Sequence, residues 1–303
     1  MAKSVVIVLL FILSITVTSC ERDFAIDIEA NQPLLVVEGY INNELPLYNY
    51  VILSQSQDYY SPDYQSTPVR GATVTITEGE LLPDKSFSWN NSTKTALAEA
   101  AIQQVSDNPL PGVYFDPRLV TDSSNALKGV PGKYYLLEIT TNNKTYNSIT
   151  YLPLVVEIDS LTTGDYFRDE DDSTDRARLT VHYKDPDTIG NTQMYYWQRD
   201  ENRGNIGWGG LSSNRFTLGT DELTNGQVMN LTMPTSFELE DSVSFYMASV
   251  ERSVYNFWES FRKAENNGGP FATPVRLLGN IKGENVTGCF SGFGISTRSI
   301  LIR

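Results

Sequence analysis

What most constrains this chain is its rhythm. From Leu34 onward, short runs rich in Val, Ile, Thr, Tyr or Leu follow one another, separated by turn signals. The runs at 34–41, 50–54, 72–77, 134–140 and 146–152 have the length and composition of strands. Between them, Arg70-Gly71, Glu78-Gly79, Pro111-Gly112, Pro131-Gly132 and Asn142-Asn143 supply the positive φ or fixed turns that strand reversal needs. A second series follows at 155–161, 177–183, 193–199, 215–218, 228–233 and 242–250. The rhythm predicts a mostly β fold with two β-sandwich-like domains, 34–153 and 154–303. Residues 95–105, rich in Ala, fit either one short helix or a pleated strand.

One segment near the end of the second series breaks the pattern. Val250, Val254, Phe257, Trp258 and Phe261 recur at spacings of three and four, which places them on one helical face over 249–264. Ser249 is suited to cap its start, and the Asn-Gly-Pro run at 266–270 to end it. The aromatic stripe is expected to pack on the second sheet rather than to stand out as a binding ridge.

The chain begins with a different grammar. Lys3, an apolar run from Val5 to Leu13 and then Val17, Thr18, Ser19 and Cys20 read as an export signal, too short to remain as a membrane span. The small residues before Cys20 resemble the lipobox of bacterial lipoproteins, in which the cysteine becomes the lipidated first residue; a plain signal peptide with an incidental cysteine is the alternative. Residues 1–19 are then the signal and 20–33 a polar tether. Acyl chains contributing about 0.8 kcal/mol per buried methylene would hold the rest at a membrane surface.

Loss of residues 1–19 removes Lys3 and no acid, leaving 22 basic against 37 acidic side chains, a net charge of −15. Nucleic-acid binding needs clustered Lys and Arg, and the chain has no such cluster. Cys289 is the second of two cysteines, so acylation of Cys20 leaves no internal disulfide.

Catalytic signals are sparse. His182, the one histidine, alternates with apolar residues in a strand-like run and has no G-x-S-x-G nucleophile elbow to serve. With Cys289 as the one free thiol, an ordinary zinc site is excluded too, and that thiol is expected to fill core space. No cofactor is implied. Oxygen-rich loops remain: Asp169, Glu170, Asp171, Asp172 and Asp175 form one, and Asp185, Asp187 and Asn191 another with candidate calcium ligands, neither at EF-hand spacing. A hydrated loop is the plain reading of both. Trp208 in the glycine-rich run 204–210, with Tyr59, Tyr60 and Tyr64, are the candidate ligand-contacting aromatics. For Tyr195, Tyr196 and Trp197, alternation turns at least one ring inward.

Two resemblances add to this reading. VRGATVTI at 69–76, GVY at 112–114 and PGKYYLLEI at 131–139 look like transthyretin-like and immunoglobulin-like modules. LLVVEGYI at 34–41, VRGATVTI, YKDPD at 183–187 with NTQMYY at 191–196, and GGPFATPVRLLGNI at 268–281 leading to GCFSGFG at 288–294 together resemble the DUF4249 family of Bacteroidetes lipoproteins. That resemblance implies an outer-membrane lipoprotein without catalytic residues, often encoded beside a TonB-dependent receptor and helping it capture or take up a nutrient. The rival expectation is a fimbria-associated or adhesive surface lipoprotein.

Overall fold

The computed structural model describes residues 33–57, 67–100, 110–171, 173–199, 216–267, 273 and 275–303. Its elements in chain order are β1 (Leu35–Asn42), β2 (Tyr50–Gln55), β3 (Thr73–Leu81), β4 (Phe87–Trp89), β5 (Thr95–Glu99), β6 (Val113–Phe115), the one-turn helix α1 (Arg118–Thr121), β7 (Tyr134–Thr141), β8 (Lys144–Tyr151), β9 (Ile158–Arg168), β10 (Asp175–Lys184), β11 (Thr192–Arg199), β12 (Phe216–Thr220), β13 (Val228–Glu238), β14 (Ser242–Val250), the helix α2 (Arg252–Glu265) and β15 (Val286–Leu301). No helix among the described residues is long and apolar enough to cross a membrane.

Period-two burial decides how these strands pack. In β1, Leu35, Val37 and Ile41 face one core and Tyr40 faces another. A twelve-stranded sheet runs β12-β11-β14-β15-β1-β2-β6-β5-β3-β7-β8, with β4 added to β3; β13-β10-β9 form a separate three-stranded sheet. The large sheet folds over at β5, which pairs with β6 through Ala98 and Glu99 and with β3 through Thr95, Ala96 and Leu97. Val37, Ile41, Val51, Leu53 and Tyr114 thereby meet Val74, Ile76, Leu137, Ile139 and Tyr146, a first sandwich-like core.

At the other end, the small sheet covers the large one. Ala177, Leu179, Val181, Met233 and Phe237 pack on Tyr195, Val243, Phe245 and Met247. Helix α2 covers the opposite face, with Val254, Phe257 and Trp258 against Tyr40, Met194, Tyr196, Tyr246 and Phe293. Trp258 meets Phe216 edge-on, ring centroids 5.5 Å apart. Strand β14 is thus covered on both faces, which is why it reads as a nearly continuous apolar run. The fold is mostly β with one long amphipathic helix.

The strands on either side of residue 153 share a sheet. Pro33–Arg303 form one compact unit, because β15, from the end of the chain, lies between β14 and β1. Its pairing with β1 is parallel, from Leu35↔Val286 to Asn42↔Phe293. Gly288 makes that approach possible. It sits at φ +123°, and a Cβ there would stand 1.8 Å from Val37 O.

Three local expectations change, and one that was open is settled in part. Glu78-Gly79 lies within β3 rather than at a turn, because the Trp89 ring packs over Gly79, where a Cβ would be 2.3 Å from Cε3. Of the Ala-rich run at 95–105, open to helix or strand, the start is strand β5, with Thr95 and Leu97 turned inward and Ala96 and Ala98 outward, while 101–105 lie outside the described residues. Helix α2 starts at Arg252 rather than 249, and Ser249 stays in β14, paired with Gly294. The residue before the helix is Glu251, whose Oε2 accepts the Tyr151 N–H at 3.0 Å instead of capping its own helix. Asn142 and Asn143, at φ +49° and +57°, do turn the β7–β8 hairpin as read from the sequence.

Cys289 is buried in the core under α2, and burial pushes its thiol up to about 12. Beside it in register, Glu38 accepts a 2.6 Å hydrogen bond from Tyr40 Oη, and burial raises its carboxyl above the usual range.

The β1–β15 seam gives a direct test. Gly288→Ala places a methyl group on the Val37 carbonyl at an unfavourable φ and is expected to cost at least about 3 kcal/mol, a fall in Tm of roughly 6–12 °C. Gly164→Ala, where a Cβ meets nothing within 4 Å, is expected to leave Tm within about 2 °C in the same thermal unfolding assay.

Candidate functional site: two clasped arches

Strands β10 and β13 pair in the small sheet through Lys184↔Val228, while β11 and β12 pair in the large sheet through Thr192↔Thr220. The connections 185–191 and 221–227 therefore cross between layers side by side, as two arches over one end of the second sandwich. Gly190 at φ +99° and Gly226 at φ +71° take the left-handed positions that these bends require.

An aspartate opens each arch and holds the other arch. Asp185 Oδ2 accepts the Gly226 N–H at 3.1 Å, and its Oδ1 accepts from Gln193 Nε2 at 3.4 Å. Asp221 Oδ2 accepts the N–H groups of Gly190 and Asn191 at 2.8 and 2.9 Å. Backbone bonds from Asp185 N to Gln227 O and from Asp221 N to Asn191 O complete the clasp. Asp185 is 2% exposed and Asp221 1%. Below them, Tyr195 Oη bonds Tyr183 Oη at 2.9 Å and donates to Gln193 Oε1 at 3.3 Å, extending a buried polar chain into the core. Burial raises the pKa of both phenols, so the two hydroxyls stay neutral hydrogen-bonding groups.

The outer surface of the arches is mixed, with exposed aliphatic side chains standing among the exposed Asp187, Thr188, Glu222 and Gln227. Ile189 is 86% exposed, Leu223 92% and Val228 69%, on a base that the clasp holds fixed. Large exposed aliphatics held on a fixed base are the features of these arches that suit a contact surface.

Of the calcium candidates, Asp185 is turned inward onto Gly226 and Gln193. Asp187 stands on the rim, its side chain 81% exposed and its Oδ1 3.7 Å from Lys184 Nζ. Asn191 bonds back to Thr188, donating from Nδ2 to the Thr188 carbonyl. Among the described residues no three His, Cys, Asp or Glu side chains converge as a metal group. The sequence reading missed Asp221; its signal was an Asp directly after a strand and five residues before a glycine, a weak one in a chain with 37 acids. In the other acidic run, Asp169 forms an ion pair with Arg176, Oδ2 to Nε 3.1 Å, and its Oδ1 accepts the Asp171 N–H, closing the β9–β10 turn. Asp172 lies outside the described residues, as do Cys20, Tyr59, Tyr60, Tyr64 and Trp208.

His182 is on the outer face of the small sheet, its ring nitrogens 2.6 Å from Asn230 Oδ1 and 2.7 Å from Thr162 Oγ1. Cys289 lies beneath α2, in a different layer, so the two do not form a dyad. Both tyrosines of the 195–197 run point into cores, Tyr195 between the two sheets and Tyr196 under the helix.

The family model of DUF4249, a domain of unknown function, matches residues 21–299. The chain belongs to the DUF4249 family. No curated protein matches it. Among solved structures it is similar to the crystal structure of a DUF3823 family protein from Bacteroides uniformis, at 10% identity and a TM-score of 0.23 over 90% of this chain and 100% of that one. In this DUF4249 member, YKDPD at 183–187 and NTQMYY at 191–196 are the first arch and its flanks, including the buried Asp185 and the Tyr195 hydroxyl chain.

The clasp predicts an asymmetry between its carboxylates. Asp221→Ala removes the shared acceptor of two part-buried N–H groups and is expected to lower stability by about 1–3 kcal/mol in urea unfolding. Asp187→Ala on the rim is expected to change it by less than about 0.5 kcal/mol.

Proposed function

We propose that this DUF4249 protein is a lipid-anchored binding protein of the outer membrane, which assists a TonB-dependent transporter in nutrient capture by holding substrate or transporter without chemical turnover. The observation that carries the reading is the pair of arches: Ile189 and Leu223 are held out by a buried clasp, as a contact surface needs to be. A surface fixed before contact loses little ordering entropy on binding. The export signal and Cys20 support the anchor, and the DUF4249 resemblance supports the transporter as partner. A net charge of −15 keeps such a body off anionic lipid and nucleic acid while leaving cationic partners open.

A pull-down of the tagged, full chain from its native outer membrane in mild detergent, read by mass spectrometry, tests this. A TonB-dependent barrel is expected in near-equal amount, and Cys20→Ser is expected to move the protein out of the membrane fraction. Fimbrial subunits in place of a barrel would overturn the transport reading in favour of adhesion.

A further inference from the structure

Two side-chain oxygens of the second arch are buried and bonded to nothing among the described residues: Asp221 Oδ1 and Asn225 Oδ1. A buried acceptor without a donor costs about 1–3 kcal/mol, and a buried carboxylate without a counter-charge costs more. Both side chains reach toward the first arch. Asp221 Oδ2 takes the Gly190 and Asn191 N–H groups, and Asn225 Nδ2 donates to Asp187 O at 3.5 Å. Each of these side chains thus sits where the two arches meet, at the crevice between them. Asp187 Oδ1 borders it too, 2.7 Å from the position a Cβ on Gly226 would take.

Among the described residues, positive charge meets that crevice at its rim, through Lys184. Among the described residues no Lys or Arg pairs with Asp185 or Asp221; Lys184 lies 3.7 Å from Asp187, on the rim, and Arg252 is paired with Glu222 at 3.6 Å. Two carboxylates and an amide carbonyl, with neither imidazole nor thiolate, make an oxygen-only donor set. Such a set favours a hard cation over zinc or copper.

We propose that the crevice between the arches binds calcium, with Asp221 Oδ1 and Asn225 Oδ1 as buried ligands, Asp187 as the rim carboxylate and water completing the shell. Calcium accepts six to eight oxygens in flexible geometry, whereas magnesium demands a near-ideal octahedron, so a site assembled from two loops suits calcium. Its few charged ligands place the Kd on the order of 10⁻⁴ to 10⁻³ M, the range of extracellular modules. Occupancy ties the two arches together beneath Ile189 and Leu223. The inference rests on the buried oxygens and stands whether or not the partner is a transporter.

The test is calorimetric titration of calcium into the EDTA-stripped full chain in mild detergent, with thermal unfolding alongside. One saturable site and a Tm that rises with calcium are expected. Asn225→Ala and Asp187→Ala leave the aspartate clasp intact; each is expected to weaken binding about tenfold or more while Tm in EDTA stays at the wild-type value. No saturable heat and no Tm rise up to about 10 mM calcium, or unchanged titrations in both variants, would overturn the proposal.

Discussion

Eight residues near the start of the described chain, Leu35–Asn42, run parallel to eight near its end, and every layer of the molecule is built outward from that pairing. On one side of the seam, Val37, Ile41 and Phe290 enter the first core; on the other, Tyr40, Cys289 and Phe293 receive helix α2. The antiparallel β14–β15 pairing then carries the second sandwich. Closing a loop of this length is entropically costly before its contacts form, which makes the seam a late and cooperative event in folding. It is reinforced locally. The Asn280 side chain donates to Phe290 O and accepts from Phe290 N, both at 2.8 Å, and Thr150 Oγ1 accepts the Gly292 N–H.

A sheet shared in this way leaves its connections to carry the proposed contact surface. The two arches lie where four strands of two layers end together, so a short stretch of sequence at each carries both structure and surface. Their buried aspartates hold backbone rather than bases, and the hydroxyl chain from Tyr183 through Tyr195 to Gln193 and Asp185 leads from core to surface. A rigid base and the exposed aliphatics Ile189 and Leu223 are the physical content of the proposed binding role.

Most strands were legible because one face is buried and one is not, which writes a period of two into the residues. Strand β15 was not, and the reason lies in its neighbours. Both of its faces are covered, and at Gly288 and Gly292 other backbones come so close that no side chain fits; a Cβ at Gly292 would be 2.5 Å from Tyr151 O. Glycine and serine there mark contact, yet in sequence they look like turns, as Gly79 under Trp89 did. Asp185, Asp187 and Asn191 were singled out for oxygen chemistry from their loop alone. The fold supplies what the sequence hid, Asp221 and Asn225 from an arch thirty or more positions away that meets the first across the sandwich. Ser249 illustrates the opposite failure: a good capping residue by type, it is held in β14 by its ladder partners before the helix begins.

The most direct test of the seam is native-state hydrogen exchange read on peptides from β1 and β15. If the pairing is the keystone, their amides exchange in the slowest class, with the same opening free energy as β3 and β7 on one side and β14 on the other. Amides of β1 and β15 that exchange early while β3, β7 and β14 remain protected would contradict the account, since the two sandwiches would then be stable without the seam that joins them.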